Sequence, residues 1–262
     1  MVVGQGERSG PVRLWKALLV AAATALVITG SPALATPSAA AVAPPPSTVA
    51  GTKLPKCRVA DVLTRHRRPE RWQRTLVDHE LRVSKSYAPK DLVPVTRAKV
   101  SGVGKVRKII VKDLRAMGKA ARADGAAFSV RSAYRSYATQ KATFARWQRQ
   151  LGYRAALRTS ARAGHTEHQL GPTVDLRAAG STTSSFAAFG YTKAGKWVAK
   201  HAWKYGFVMS YPEGKTDKTC YKYESWHFRY VGKETAKAVR KSGLTLREYL
   251  WREHHQPKKK KS

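Results

Sequence analysis

The chain has 262 residues, 42% of them hydrophobic, which suits one sizeable domain and excludes a chain too polar to bury a core. Its 50 Lys+Arg against 16 Asp+Glu give a formal net charge of +34, and such a surface attracts polyanions. Nucleic acid, anionic lipid and an anionic cell wall all fit that charge, while a lone pair of cysteines without CxxC spacing excludes a cysteine-built zinc site.

In chain order, residues 1–35 have the make-up of a signal peptide. Arg8, Arg13 and Lys16 precede the apolar run Ala17 to Thr29, and Ser31-Pro32-Ala33-Leu34-Ala35 ends in the small-x-small pattern that signal peptidase cuts. The run is about 13 residues, short of the roughly 20 that span a bilayer, so cleavage after Ala35 and no stable membrane span are expected. An uncleaved anchor is the alternative. A secreted or wall-associated location makes nucleic acid an unexpected partner and an anionic cell-wall polymer the better one. It also gives Cys57 and Cys220 an oxidising compartment, where a disulfide between them is favoured over two free thiols. Residues 36–52 are Pro, Ala, Ser, Thr, Val and Gly without a charge and read as a linker. Residues 53–256 form the domain, and 257–262, with four consecutive lysines, a solvated tail.

Within the domain, Gly104 to Arg122 places Val106, Ile109, Ile110, Leu114 and Met117 at helical spacing. Phe128 to Tyr134 alternates like a strand. Ser136 can cap a helix to about Leu151 with Phe144 and Trp147 on one face. Lys193 to Tyr205 reads as a helix stopped by Gly206, Phe207–Tyr211 and Trp226–Val231 as strands, and Thr245 as the cap of a last helix through Trp251. No internal repeat is visible. Strands separated by helices in this order indicate an α+β domain.

In so basic a chain the acids are informative. Glu167, Asp175 and Glu224 fall beside histidines in two short segments, Gly164-His-Thr-Glu-His-Gln-Leu-Gly171 leading to Asp175, and Tyr223-Glu-Ser-Trp-His227. A catalytic zinc needs three protein ligands from His, Asp or Glu with one position left for water, and a carboxylate outside that set to move protons. His168, Asp175 and His227 can supply the ligands and Glu224 the base, with His165 a rival ligand. A turn at Gly171-Pro172 would let His168 face Asp175. Glu224 and His227, three apart, would point to opposite sides of a regular strand, so the strand must begin near Ser225 or bend there. The pattern is not HExxH, so a helical zincin site does not apply.

Several segments together resemble the VanY-type D-alanyl-D-alanine carboxypeptidases of the M15 zinc metallopeptidases. They are Tyr87-Ala-Pro-Lys-Asp-Leu-Val93, Ser132-Ala-Tyr-Arg-Ser-Tyr137 with Gln140, the run Glu167-His-Gln-Leu-Gly171, Val174-Asp175, and Glu224-Ser-Trp-His-Phe-Arg-Tyr230. The resemblance implies Zn2+ held by His168, Asp175 and His227, with Glu224 as base. Arg135 would hold the scissile carbonyl and its developing charge, a task suited to a permanently charged guanidinium. Gln140 and Thr166 would help bind the terminal carboxylate, and Ser132 and Tyr134 would belong to the substrate site. Thr166 stands where the family usually has Ser, Ser225 where it usually has Pro, and Pro172-Thr173 where it has a small apolar pair. These departures bear on substrate preference and remove no ligand.

The fold so implied is a small antiparallel sheet with flanking helices, shared with hedgehog-type domains. The implied reaction removes the terminal D-Ala from peptidoglycan stem peptides. An L,D-carboxypeptidase acting on tetrapeptide stems would use the same metal and base. A non-catalytic basic wall-binding module is the rival from another class, and the intact Glu224 argues against it.

Overall fold

In a computed structural model of the chain, residues 53–64, 69–182 and 185–255 are described. The expected signal segment, linker and lysine tail lie outside them. Among the described residues no helix is long and apolar enough to cross a membrane.

The centre is a four-stranded antiparallel sheet made of β5 (Phe128–Ser132), β6 (Thr173–Ala178), β8 (His227–Tyr230) and β7 (Phe207–Met209), in that spatial order. Period-2 alternation gives it two unlike faces. Val174, Leu176, Phe228 and Tyr230 join a core with Leu114, Met117 and Ala121 of α1 (Val111–Ala123) and Val198 of α4 (Lys193–His201). The intervening residues Thr173, Asp175, His227 and Arg229 are buried too, but polar. α2 (Tyr137–Leu151) and α3 (Tyr153–Thr159) form a hairpin, and α6 (Lys233–Ser242) and α7 (Leu246–His255) share a smaller core around Val239, Leu246 and Leu250. The mixed architecture is the one expected.

Two short strand pairs lie outside this sheet. β1 (Val62–Leu63) runs parallel to β2 (Leu81–Arg82), and β3 (Leu92–Pro94) pairs antiparallel with β4 (Lys105–Arg107). The second pair corrects the reading of Gly104 to Arg122 as one helix. Gly104 takes φ +98° with its Cα against Ala133, where a Cβ would come within 2.9 Å of that alanine's own Cβ. Val106 then pairs with Val93, and the helix begins only at Val111. Ile109 consequently lies 55% exposed rather than in the core.

The other elements start where their capping chemistry allows. The Ser136 hydroxyl accepts a hydrogen bond from the Thr139 N–H, and Thr245 and Glu248 cap each other reciprocally ahead of α7. Gly206, at φ 84°, ends the short 3-10 turn that extends α4 and hands the chain to β7. The segment 53–64 is fastened to the body by the Cys57–Cys220 disulfide, with Cα atoms 5.4 Å apart, and by Asp61 against Arg162 at 3.0 Å.

Candidate metal centre

The site forms where β6 and β8 meet a 3-10 turn, Glu167–Leu170. Register pairs Asp175 directly with His227, so cross-strand geometry alone brings their side chains onto one face within contact distance. The turn supplies His168. Thr166 caps it, accepting from the His168 N–H, and Gly171 closes it at φ 89°, which swings the chain through Pro172 into β6. β8 starts at His227, and Glu224 lies in the turn before it, with the His227 N–H donating to the Glu224 carbonyl. That late start is what lets two residues three apart face one point.

One ligand atom from each of His168, Asp175 and His227 lies within 4.8 Å of the others. The tautomers are fixed from behind. His168 donates Nδ1–H to the Ala133 carbonyl at 2.6 Å and turns Nε2 inward. His227 donates Nε2–H to Glu167 at 2.9 Å and turns Nδ1 inward, 3.3 Å from both Asp175 and Glu224. His168 Nε2 and Asp175 Oδ1 are buried without a hydrogen-bond partner. Orphaned lone pairs of this kind are costly unless something accepts them, and a cation does so for both at once. The donor set therefore fits a divalent metal such as zinc.

The electrostatics favour the same occupant. Burial and the nearby Arg135 guanidinium lower the His168 pKa to about 4, so its imidazole is neutral and free to coordinate at neutral pH. Burial also pushes His227 down, but the carboxylates of Asp175, Glu167 and Glu224 gathered around its ring outweigh it and hold the group well above its ordinary value. Three carboxylates converging on one ring are an excess of negative charge that a cation would neutralise. Burial raises the Glu224 carboxyl, against the pull of His227.

Behind the ligands lies a fully buried pair that sequence reasoning did not assign. Burial would raise the Glu167 carboxyl, yet Arg229 and hydrogen bonds from His227 and Ser210 bring it down to about 2. Arg229, 0% exposed, reaches Glu167 at 2.9 Å and the carbonyls of Trp72 and Thr75 at 3.0 and 2.7 Å. The signal was present in outline: Arg229 is two residues past His227 on the same strand face, and Glu167 precedes His168.

The VanY family model, described as D-alanyl-D-alanine carboxypeptidase, matches residues 104–233. The structure of the LdcB LD-carboxypeptidase is 37% identical, with a TM-score of 0.61, over 68% of this chain and 85% of that one. The chain belongs to the VanY family. The VanY D,D-pentapeptidase, solved as a zinc(II) complex, is 30% identical with a TM-score of 0.58, over 68% of this chain and 99% of that one. YodJ of Bacillus subtilis (strain 168), a carboxypeptidase by name, is 38% identical over 180 residues, 67% of this chain and 66% of its own length. A D-alanyl-D-alanine carboxypeptidase of Enterococcus faecium is 34% identical over 47% of this chain and 36% of its own length. The chain thus spans just under two thirds of the first of these curated relatives and about a third of the second.

Within the VanY frame the remaining candidate residues separate by position. Ser132, Arg135, Gln140, Thr166 and Glu224 line one cleft with the three ligands, together with Trp226, Tyr211 and Tyr221. A bulge in β5 between Val130 and Ser132 redirects the chain there, and Arg135 Nη2 ends 3.5 Å from Asp175. Gln140 is 0% exposed and gives its side-chain N–H groups to the Ala161 carbonyl at 2.6 Å and the Ser160 hydroxyl at 3.2 Å. Tyr134 is not among the cleft's lining residues; it lies beside Tyr87. His165, the rival ligand, is turned away, with its ring nitrogens engaged by the Asp78 carbonyl at 2.6 Å and Asp61 at 2.9 Å.

Proposed function

We propose that this VanY-family chain is a secreted zinc-dependent D-alanyl-D-alanine carboxypeptidase that trims the C-terminal D-Ala from peptidoglycan stem peptides. The observation that carries the reading is the convergence of three buried ligand groups with the separate carboxylate of Glu224 in one cleft. When bound, zinc supplies a Lewis acid that lowers the pKa of water toward about 7.

The chain's own residues supply the rest. Glu224 accepts the proton of the attacking water and returns it to the departing D-alanine amine, and its burial-raised carboxyl suits both directions. Arg135 reaches into the same cleft and can donate to the scissile carbonyl oxygen as negative charge develops there. Glu167 and Ala133 hold the two imidazoles in the tautomers that leave an inward lone pair on each. The zinc(II) complex of the VanY pentapeptidase and a VanYB complex with D-alanine-D-alanine support zinc and this substrate class. Export rests on the signal-like residues 1–35, and attraction to anionic wall polymers rests on the net charge of +34.

A second reading, L,D-carboxypeptidase activity on tetrapeptide stems, draws on the likeness to LdcB. Incubating the protein with muropeptides ending in D-Ala-D-Ala or in a single D-Ala, with and without a chelator, separates the two. Release of one D-alanine from the pentapeptide alone is expected. Both chelation and Glu224→Ala should remove it, the latter by about 10²–10⁴-fold. Cleavage of the tetrapeptide selects the L,D reading, and cleavage of neither by the zinc-loaded protein overturns the enzyme.

A further inference from the structure

The basic charge of this chain is unevenly spread. From Gly125 to Thr166 there is no Asp or Glu, yet the stretch carries eight Lys and Arg. Three of these are engaged within the fold: Arg131 lies over the Phe186 ring, Arg135 meets Asp175, and Arg162 meets Asp61. The other five, Lys141, Arg146, Arg149, Arg154 and Arg158, stand exposed on the α2–α3 hairpin. Among the described residues none of the five is in a salt bridge. Other helices mix their signs. Asp113 on α1 pairs with Lys233 at the start of α6, and Glu253 on α7 with Arg74.

Arg154 and Arg158 are four apart and share a helix face, where like charges destabilise the helix that carries them. A chain of negative charges laid along the hairpin would turn that repulsion into attraction. Four of the five bases are arginines, whose planar forks pair with phosphate oxygens two at a time. At the tip of the hairpin Leu151 and Tyr153 are 44% and 46% exposed, an apolar contact surface beside the charges. Phe144 braces the Tyr153 ring edge-on, with centroids 6.1 Å apart. The hairpin is also one wall of the catalytic cleft, since Thr143, Trp147 and Ser160 line it. Lys141, Arg149, Arg154 and Arg158 are not among the lining residues, so a polymer held by them lies beside the cleft and leaves it open.

We propose that the outer face of the α2–α3 hairpin binds a phosphodiester polymer of the cell wall, of the poly(glycerol phosphate) kind, and so holds the cleft beside its substrate. This rests on the exported, wall-acting reading above, and it gives the diffuse attraction of a net charge of +34 a defined place.

The test compares wild type with a variant carrying Lys141→Gln, Arg149→Gln, Arg154→Gln and Arg158→Gln. A control carrying Lys196→Gln, Lys200→Gln, Lys204→Gln and Lys241→Gln removes the same charge elsewhere. Affinity for purified poly(glycerol phosphate), measured by calorimetry at fixed salt, should fall by about 10²-fold or more in the hairpin variant. In the control it should fall by less than about 3-fold, because salt screens distant exposed charges. Both variants should hydrolyse soluble muropeptides as wild type does, while the hairpin variant alone loses its preference for wall fragments that carry the polymer. Equal losses of affinity in the two variants would mean that net charge alone attracts the polymer, and would overturn the inference. Tighter binding of polygalacturonate or of a DNA oligonucleotide than of the glycerol phosphate chain would overturn it too. Polymer binding is read without hydrolysis, so a wild type that binds at the hairpin and cleaves no muropeptide refutes the carboxypeptidase reading and supports the hairpin site.

Discussion

The central sheet carries two environments on the same strands. Val174, Leu176, Phe228 and Tyr230 press against α1 and α4, whereas Thr173, Asp175, His227 and Arg229 alternate with them and face the cleft side. Both sets are buried, and they are held by different physics. The apolar set is satisfied by contact and volume, and many side chains of the right size would serve. The polar set is satisfied by partner accounting: ring nitrogens, carboxylates and guanidinium need specific counterparts, and the unpartnered Asp175 Oδ1 and His168 Nε2 converge where the metal would sit. Substituting on one face should therefore cost stability, and substituting on the other should cost stability and chemistry together.

The strongest way to break that contrast is Glu167→Ala. It leaves Arg229 buried with its charge uncompensated, which costs about 3–5 kcal/mol of unfolding free energy. The same change frees the His227 ring, so zinc affinity should fall by about 10–100-fold, measured by competition with a chromogenic chelator. A loss of stability with unaltered zinc affinity would mean that the pair only packs. Next in size is Leu176→Ala on the opposite face, expected to cost about 2–5 kcal/mol in urea denaturation. Zinc affinity of the folded fraction should be preserved, although Leu176 adjoins Asp175; a parallel loss would show that the faces are not independent. Smallest is Ser136→Ala, which removes the cap of α2 and should cost about 1 kcal/mol, leaving zinc affinity as it is.

The same contrast explains what could be read from the sequence. Caps and stops were legible because each is a local chemical event: Ser136, Thr245 and Gly206 bound their helices as expected. The region after Gly104 was not, because Val106 to Met117 satisfies a helical period while a long-range approach to Ala133 and pairing with β3 decide the outcome. In the site, the ligand residues stood out as acids and histidines in a basic chain, and the ordered motifs tied them together. The choice between His165 and His168 was undecided by spacing; it follows from Asp61 and Asp78, distant in sequence, which occupy His165. Glu167 and Arg229 were visible as residues but not as a pair, for a related reason. Their roles are defined by which partners they have or lack in three dimensions, and no local pattern announces that.

The central claim is that His168, Asp175 and His227 form one metal site, separate from the Glu224 base. Zinc titration of wild type, Glu224→Ala and Asp175→Ala, with elemental analysis of the dialysed proteins, tests it most directly. One zinc per chain is expected in wild type and Glu224→Ala, with an affinity at least about 100-fold weaker in Asp175→Ala. Equal zinc binding by Asp175→Ala and wild type, or loss of zinc in Glu224→Ala, would contradict it.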